Sequence, residues 1–236
     1  MDDVEWDSDK IDAVLKLGRS TEQVLRNVDE TLDTAADGLS LLEVDRYYYD
    51  GPIEFVGVPP EHLPTVPHTV SPEMVRAMAH PLTVQHRRGI RIAITFAVAT
   101  SHALQNLRSR EPGFDEWWAP RSATLRADPL ARFFYQMRST LLKEGWLKAT
   151  NVLSSYNVAD ERNWVEVHTS FHNAPETHQG EDIRGLDSLE LLSLYLGDLG
   201  TIVSDAWAHF LPGVDSQLRA QPLVEGGAIY DYGAND

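Results

Sequence analysis

The best candidate metal-ligand cluster around the histidines of the sequence lies between residues 168 and 182. It consists of His168, His172, His178 and Asp182, and imidazole with carboxylate is a common ligand set for zinc. Two histidines four residues apart bind one ion when they lie on one turn of a helix. The tryptophan and valines of 164–167 instead indicate a strand, in which residues four apart are separated by roughly 13 Å. We therefore predict no bound metal, with these histidines on a solvent-exposed hairpin and loop.

Three aromatic side chains form a second cluster that could take part in ligand binding. Phe114, Trp117 and Trp118 follow a Pro-Gly pair, and aromatic rings beside a basic surface can stack on nucleobases. Packing in the core at the start of a helix is the alternative. We favour core packing because large aromatic side chains contribute much of the buried apolar surface of proteins.

The familiar phosphate-binding and nucleophile motifs are missing. The sequence has no Gly-x4-Gly-Lys loop, no Gly-x-Gly-x-x-Gly and no Gly-x-Ser-x-Gly. It also has no cysteine, which excludes disulfides, thiolate catalysis and cysteine-ligated metal centres in this chain. We predict no cofactor.

Charge is distributed unevenly along the chain. The net charge is −16, yet residues 76–148 hold twelve basic and five acidic residues, a net charge of +7. Residues 1–50 carry −9 and residues 149–236 carry −11. A basic block is the electrostatic footprint that phosphate binding requires. The alternative is that the middle helices pack against the acidic ends and the charges satisfy each other.

Helices that would position these residues follow from the spacing of the apolar side chains. Apolar residues recur every three to four positions from Val14 to Ala35, which predicts a helix with a possible break at Gly18 and an end at Asp37-Gly38. An arm that forms a coiled coil with another chain is the alternative. A short helix follows from Pro72 to His80-Pro81, and the length of the apolar run favours one buried helix over 82–108.

The remaining predicted helices have clearer ends. They are a helix that begins near Phe114 and stops before Pro120, a helix from Pro129 to Glu144 with Asp128 as its cap and Gly145 as its end, and a leucine-rich helix from Asp187-Ser188 to Pro212-Gly213.

Together these elements predict an all-α helical bundle with a small β-hairpin insertion. Alternating apolar residues predict strands at Leu147–Val158 and Trp164–Phe171, which would pair as the hairpin. The predicted organisation is an N-terminal helical segment (1–44), a Pro-rich connector with an extended piece at its tyrosines (45–70), a helical domain (71–215) with the hairpin at about 147–171, and a mobile acidic tail (216–236).

The chain is expected to be cytoplasmic and to make no contact with membrane. Its first residues are acidic and do not form a signal peptide. The most apolar stretch, Ile90–Ala99, is too short to span a bilayer.

The segment from Asp128 to Gly145 resembles the motif helix of the HEPN superfamily of small helical bundles. It reads Asp-Pro-Leu-Ala-Arg-Phe-Phe-Tyr-Gln-Met-Arg-Ser-Thr-Leu-Leu-Lys-Glu-Gly. In that family an Asp-Pro-capped helix ends in Arg-x4–6-His, often as Arg-Asn-x-x-x-His-Glu-Gly. The aromatic residues Phe114 and Trp117 before it and the leucine-rich helix with Tyr195 after it also fit the family layout. The likeness covers about residues 76–212.

The resemblance implies an RNA-directed catalytic pair at Arg138 and Lys143. In active members the arginine stabilises phosphoryl charge and the histidine acts as acid and base. Here Lys143 stands where the family has histidine, and Ser139 replaces the frequent asparagine. A lysine ammonium keeps its proton at neutral pH, so it can contact phosphate but is a poor proton shuttle. Five residues apart on a helix, Arg138 and Lys143 also point about 140° away from each other.

The expected function is therefore a HEPN-like protein that has lost RNase chemistry and binds a protein or nucleic-acid partner, in a system of the defence or toxin–antitoxin type. In this hypothesis Lys143 is a helix-end residue and Arg138 a buried or interfacial salt-bridge former. We expect at least a dimer, because members of the family commonly pair through their motif helices.

Two alternatives stay open from the sequence. One is an active, metal-independent ribonuclease that uses Arg138 and Lys143 with a histidine from elsewhere. The other is an acidic adaptor that imitates nucleic acid and binds a basic protein. An exposed, continuous basic groove would favour RNA, whereas a basic block masked by the acidic ends would favour the adaptor.

Overall fold

The computed structural model describes residues 8–44, 46–49, 72–145, 149–157 and 163–212. This part of the chain is mostly helical with a small antiparallel sheet, which confirms the predicted fold class. The helices are α1 (Ser8–Glu43), α2 (Pro72–Leu104), α3 (Phe114–Ala127), α4 (Pro129–Glu144) and α5 (Ser188–Phe210), and a 3-10 helix (Gln105–Ser109) follows α2. The strands are β1 (Arg46–Tyr49), β2 (Ala149–Asn157), β3 (Asn163–Phe171), β4 (Thr177–His178) and β5 (Glu181–Asp182).

The two longest helices are longer than the sequence predicted. Helix α1 continues through Gly18 and Gly38, and α2 continues through Pro81, so the expected break and stops are wrong. Proline at position 81 removes the hydrogen bond to the carbonyl of Ala77. Pro81 and Ala77 are both exposed, so water can satisfy that carbonyl. The predicted helix over 82–108 is confirmed, as the second part of α2 and the 3-10 helix.

Helices α1 and α2 pack as an antiparallel pair that touches backbone to backbone at two glycines. A Cβ atom on Gly38 would lie 2.6 Å from the backbone nitrogen of Ala93 and 2.8 Å from the carbonyl oxygen of Gly89. A Cβ on Gly89 would lie 2.5 Å from the Gly38 carbonyl oxygen. Real Cβ atoms do not approach backbone so closely, so only glycine fits at either position. At the other end of the pair, the Thr21 hydroxyl donates to Glu111 at 2.5 Å.

The core consists of two main apolar clusters, and α5 contributes to both. The larger cluster joins α2, α4 and the first half of α5 and includes Ile94, Phe134 and Leu192. The second joins the middle of α1 and the end of α2 to α3 and the end of α5, and it includes Phe114 and Trp207. The Trp207 indole also donates to Asp29 on α1 at 2.8 Å. Helix α5 therefore holds the two halves of the bundle together.

Helix α4 has the boundaries that its sequence predicts. The Asp128 carboxylate accepts from the Ala131 amide at 2.7 Å, and Gly145 ends the helix with φ of 71°. The prediction for α3 is wrong, because that helix continues past Pro120 to Ala127. Pro120 cannot donate to the carbonyl of Glu116, but both residues are exposed, so water can satisfy that carbonyl.

The predicted hairpin is confirmed, and the sheet has a third strand. Strand β3 lies in the centre, with β2 and β1 antiparallel on either side. The tyrosine-rich strand β1 confirms the expected extended piece. The expected polar loop contains a second small hairpin, β4 with β5, whose turn residues Gln179 and Gly180 both have positive φ. Two such residues form the compact turn that matches the twist of paired strands.

Other sequence predictions fall largely outside the described residues. This holds for most of the connector and for the acidic tail, and the division into domains stays a prediction. Of the helices in the described ranges, none has the length and apolar character needed to cross a membrane.

We expect Gly38→Ala to destabilise the protein by on the order of 3 kcal/mol, because the new methyl group would overlap the backbone of α2. Gly197→Ala on α5 is the matched control, since nothing lies within 4 Å of its Cβ position. That control should gain about 0.5–1 kcal/mol from helix propensity. Urea unfolding followed by circular dichroism measures both, and equal midpoints for Gly38→Ala and wild type would contradict the close helix contact.

Candidate functional site

The predicted catalytic pair lies on α4, but its two members have different surroundings. Arg138 is half-buried, and its Nε atom is buried without a hydrogen-bond partner. Lys143 is exposed in the last turn of the helix, which agrees with a helix-end position. No ion pair of Arg138 is found within the described residues, so the expected salt bridge is not made inside that part of the chain. The roles assigned to both residues stay predictions.

The basic block of the sequence is largely unpaired. Within the described residues, ion pairs join two of its arginines to carboxylates: Arg108 to Asp115 inside the block, and Arg121 to Asp205 on α5. Eight bases of this block have side chains that make no hydrogen bond or ion pair in the described ranges: Arg76, Arg87, Arg88, Arg110, Arg126, Arg132, Arg138 and Lys143. Helix α2 does pack against α1, but no ion pair between the two helices is found within the described residues.

A polar groove with basic residues on one wall lies between α2 and the start of β2. Arg76, His80, Thr83 and Arg87 are spaced so that they line one face of α2. The opposite wall consists of residues 149–151 of β2, and the groove encloses about 400 Å³. One wall therefore carries cationic groups, and the other carries the hydroxyl of a threonine and the amide of an asparagine.

Two hydrogen bonds hold the strand wall of this groove in place. The Thr150 hydroxyl is hydrogen-bonded to Nε2 of His172, and Asn151 accepts from the Thr169 hydroxyl at 2.8 Å. Thr169 is in turn 3.2 Å from Nδ1 of the buried His86 on α2. The strand is thus linked to the helix that carries the arginines, so the two walls keep their relative position.

The basic face continues along α2 towards the end of α4. Arg91 lies four residues beyond Arg87 on the same side of the helix, and its guanidinium donates to the carbonyl of Gly145. That carbonyl follows the last turn of α4, where helix ends carry partial negative charge. Arg91 therefore joins the two helices and extends the basic face.

The structure does not bring the candidate metal-ligand histidines together. His172 contacts Thr150, and His168 lies 3.4 Å from Glu166 and 3.7 Å from Asp187. Asp182, the fourth candidate, pairs with Arg184 at 2.6 Å. Of the four candidates, only His178 is buried, so the predicted solvent exposure is wrong for this histidine.

His178 bridges two aspartates that the sequence analysis did not connect with it. Its Nδ1 is 3.1 Å from Oδ1 of Asp128, the cap of α4, and its Nε2 is 3.4 Å from Oδ2 of Asp198 on α5. These three residues offer ligand atoms within 4.8 Å of one another, the arrangement among the described residues that could hold a cation. Nδ1 is hydrogen-bonded to Asp128 and Nε2 faces the Asp198 carboxylate, so each ring nitrogen has a partner without an ion. The absence of a bound metal stays a prediction.

The local electrostatics of this bridge follow from its burial. Burial raises the pKa of Asp198 above its ordinary value and the Asp128 charge adds to this, whereas His178 and a hydrogen bond from Gln179 act in the opposite direction. Burial also raises the pKa of the Tyr195 hydroxyl, and the charges of both aspartates reinforce the effect. Tyr195 therefore stays un-ionised at physiological pH.

The aromatic cluster is part of the core, as expected. Phe114 is fully buried and stacks on Trp118 at a centroid distance of 6.0 Å. Trp117 donates its indole N–H to Asp205 at 3.1 Å, and the guanidinium of Arg121 lies over its ring. Trp118 alone has a second role, since it also lines a cavity between α2, α3 and α4.

Fold and site together define a mostly helical protein that carries a basic groove on its second helix. Comparison of the chain with protein-family models, with curated proteins and with solved structures finds no match.

We expect the stability of the protein to depend on pH through Asp198. A raised pKa in the folded state means that folding favours the protonated form. The contribution of Asp198 is therefore fully present below the ordinary aspartate pKa of about 3.9 and is lost as pH rises through the raised value. Compared with Asp198→Asn, which cannot titrate, wild type should lose stability progressively as pH rises from acid to neutral.

Asp182→Asn provides a control for this measurement, because Arg184 lowers the pKa of the exposed Asp182. The difference in stability between wild type and Asp182→Asn should be small and should change with pH in the opposite direction. Thermal unfolding at several pH values measures both differences. A wild-type advantage over Asp198→Asn that grows towards neutral pH would contradict the burial of Asp198.

Proposed function

We propose that this chain is a HEPN-like protein that binds RNA, without cleaving it, through the basic face of α2. The observation that carries the proposal is the groove between α2 and β2, in which Arg76 and Arg87 are exposed and unpaired within the described residues. An unpaired arginine at the surface is free to contact phosphate, whereas one that is neutralised by a carboxylate is not.

The composition of the groove suits a phosphate backbone. Most protein–nucleic acid hydrogen bonds go to phosphate and sugar oxygens, and arginine, threonine and asparagine are typical donors. Arg76 and Arg87 are eleven residues apart on α2, about 16 Å along its axis. Thr150 and Asn151 face them from the strand. A strand of RNA lying along α2 would meet positive charge on one side and neutral donors on the other.

The distribution of charge favours this proposal over the acidic adaptor. An adaptor would use its acidic ends to contact a basic protein and would need its own basic block to be covered. In the described residues, one ion pair joins the block to an acidic side chain of a later segment, that of Arg121 with Asp205. Self-association through α4, a surface on which Leu142 is 64% exposed, stays a prediction.

The side chains of α4 favour binding of RNA without cleavage. An acid–base mechanism needs a group that gives up and takes a proton near neutral pH. Lys143 supplies an ammonium in place of the family's histidine, and it is exposed while Arg138 is half-buried. This arrangement retains two cations that can attract phosphate and lacks the proton shuttle.

One observation favours the ribonuclease as a second candidate. His80 lines the groove between Arg76 and Arg87, so an imidazole would lie next to a bound phosphate. The histidine that the ribonuclease hypothesis requires from elsewhere in the chain would then be His80. In this version of the alternative, Arg76 and Arg87 replace Arg138 and Lys143 as the phosphate contacts, and the reaction lies at α2 and β2 instead of at the end of α4.

We expect the double variant Arg76→Ala/Arg87→Ala to bind single-stranded RNA about tenfold more weakly than wild type, because two phosphate contacts are removed. The slope of log affinity against log salt should fall by about 1.4. Fluorescence anisotropy with a labelled RNA of mixed sequence, at several salt concentrations, measures both quantities. The matched control is Arg88→Ala. Arg88 is exposed, has no side-chain partner among the described residues, and points about 100° away from Arg87. Equal losses for Arg88→Ala and the double variant would argue against the groove.

We expect wild type to leave a mixed RNA intact under the conditions in which it binds. Gel analysis of RNA incubated with wild type, Arg138→Ala, Lys143→Ala and His80→Ala tests this, with circular dichroism to confirm that each variant is folded. Cleavage that Arg138→Ala and Lys143→Ala both abolish would establish the α4 pair as the active site. Cleavage lost in His80→Ala alone would place the reaction in the α2 groove.

A further inference from the structure

A second cavity lies at the other end of α2, where that helix meets α3 and α4. It encloses about 480 Å³, within the range typical of small-molecule sites. Its lining is mostly apolar, and the residues with recognisable chemistry are His102, Trp118, Arg126, Arg132, Tyr135 and Tyr195. The α2 groove shares none of these residues.

Aromatic side chains on separate helices shape the cavity. Trp118 on α3 is 7% exposed and is held in place by stacking on Phe114, so it forms a fixed wall. Tyr135 on α4 is 54% exposed, and its ring lies 6.4 Å from that of His102 with a tilt of 40°. Because these two rings are tilted relative to each other, they do not cover each other's faces. A planar aromatic group can therefore stack here.

Two arginines supply positive charge at the same cavity. Arg126 lies in the last turn of α3 and Arg132 in the first turns of α4, on either side of the Asp128 cap. Both side chains are exposed, and neither has a hydrogen bond or ion pair in the described part of the chain. The corner between α3 and α4 thus presents two free guanidinium groups, which bind phosphate oxygens well because of their planar donor geometry.

A buried tyrosine adds a polar group to the lining. The Tyr195 ring stacks on Phe134 with centroids 5.1 Å apart, which fixes its position. Its hydroxyl keeps its proton at physiological pH, since burial and two neighbouring carboxylates raise its pKa. Tyr195 can therefore donate a hydrogen bond to a heteroatom of a bound ring.

We propose that this cavity is a binding site for a mononucleotide, with the base against Trp118 and Tyr135 and the phosphate on Arg126 and Arg132. An aromatic ring and a phosphate within one ligand account for both the apolar lining and the two free cations. The inference does not depend on RNA binding at the α2 groove, because the two sites have no residue in common. The nucleotide could be a free metabolite or one nucleotide of an RNA strand, and the experiment separates these sources.

The test is isothermal titration calorimetry of the full chain with adenosine 5′-monophosphate, uridine 5′-monophosphate, adenosine and inorganic phosphate. We expect both mononucleotides to bind more tightly than adenosine or phosphate alone. The double variant Arg126→Ala/Arg132→Ala should weaken mononucleotide binding at least tenfold and leave adenosine binding unchanged. Tyr135→Ala should weaken both by about tenfold, the effect typical of a lost base–aromatic stack.

Arg110→Ala is the matched control, because Arg110 is also exposed and unpaired within the described residues but does not line the cavity. It should bind mononucleotides like wild type. Failure of both mononucleotides to bind at millimolar concentration would overturn the proposal, as would binding that the arginine and tyrosine substitutions leave unchanged.

RNA binding by the same variants identifies the source of the nucleotide. If the cavity variants lose mononucleotide affinity but keep RNA affinity, the ligand is a free nucleotide and the two sites are separate. If they lose affinity for both, the cavity accepts a nucleotide of the RNA strand. The Arg76→Ala/Arg87→Ala variant should keep its mononucleotide affinity in either case, so failure of the α2 groove and failure of the cavity remain distinguishable.

Discussion

The contact between Gly38 and Gly89 sets the spacing of the two longest helices, and the rest of the bundle is arranged around that spacing. With hydrogen atoms in place of side chains, the carbonyl of Gly38 comes within 2.5 Å of where a Cβ of Gly89 would be. Helix α1 then covers one face of α2 along much of its length. The remaining faces of α2 contact the sheet, α4 and solvent. The basic face with Arg76 and Arg87 lies across the groove from strand β2.

A buried histidine fixes where the sheet lies on this helix pair. His86 is 3.0 Å from the carbonyl oxygen of Val44 through Nε2 and 3.2 Å from the Thr169 hydroxyl through Nδ1. The end of α1, the middle of α2 and strand β3 thus meet at one side chain. Since β2 pairs with β3 throughout its length, this contact also determines which residues of β2 face the arginines of α2.

The sequence predicts those features that depend on neighbouring residues and misses those that depend on distant ones. Asp128 and Gly145 define the ends of α4 because a cap acts on the first or last turn of its own helix. The role of Gly38 could not be found in this way, since a glycine that ends a helix and one that permits a close crossing look the same until the partner helix is known. The same reasoning explains Pro81, because the cost of an unbonded carbonyl depends on whether water reaches it.

In the candidate sites too, the features that depend on neighbouring residues are visible in the sequence, and those that depend on distant residues are not. The basic character of residues 76–148 is visible in the sequence. The common helical face of Arg76, His80 and Arg87 is not, because the sequence predicted a helix end at His80-Pro81 and the structure has one helix through Pro81. The wall supplied by Thr150 is not visible either, because it lies more than sixty residues away and depends on the sheet register. The bridge of His178 to Asp128 and Asp198 likewise joins three separate elements. Its one local signal was the Gln179-Gly180 turn, which places His178 next to the N terminus of α4.

A basic groove on a protein of net charge −16 has a consequence for how an anion would reach it. At physiological ionic strength the screening length is about 8 Å, so a phosphate in the groove interacts mainly with Arg76, Arg87 and their neighbours. At low ionic strength the acidic remainder of the chain also acts on it and opposes binding. Added salt then weakens attraction and repulsion together. The affinity of this protein for RNA should therefore depend less steeply on salt than that of a uniformly basic protein with the same number of phosphate contacts. RNA then binds at the groove because of the local geometry of the arginines and not because of long-range attraction.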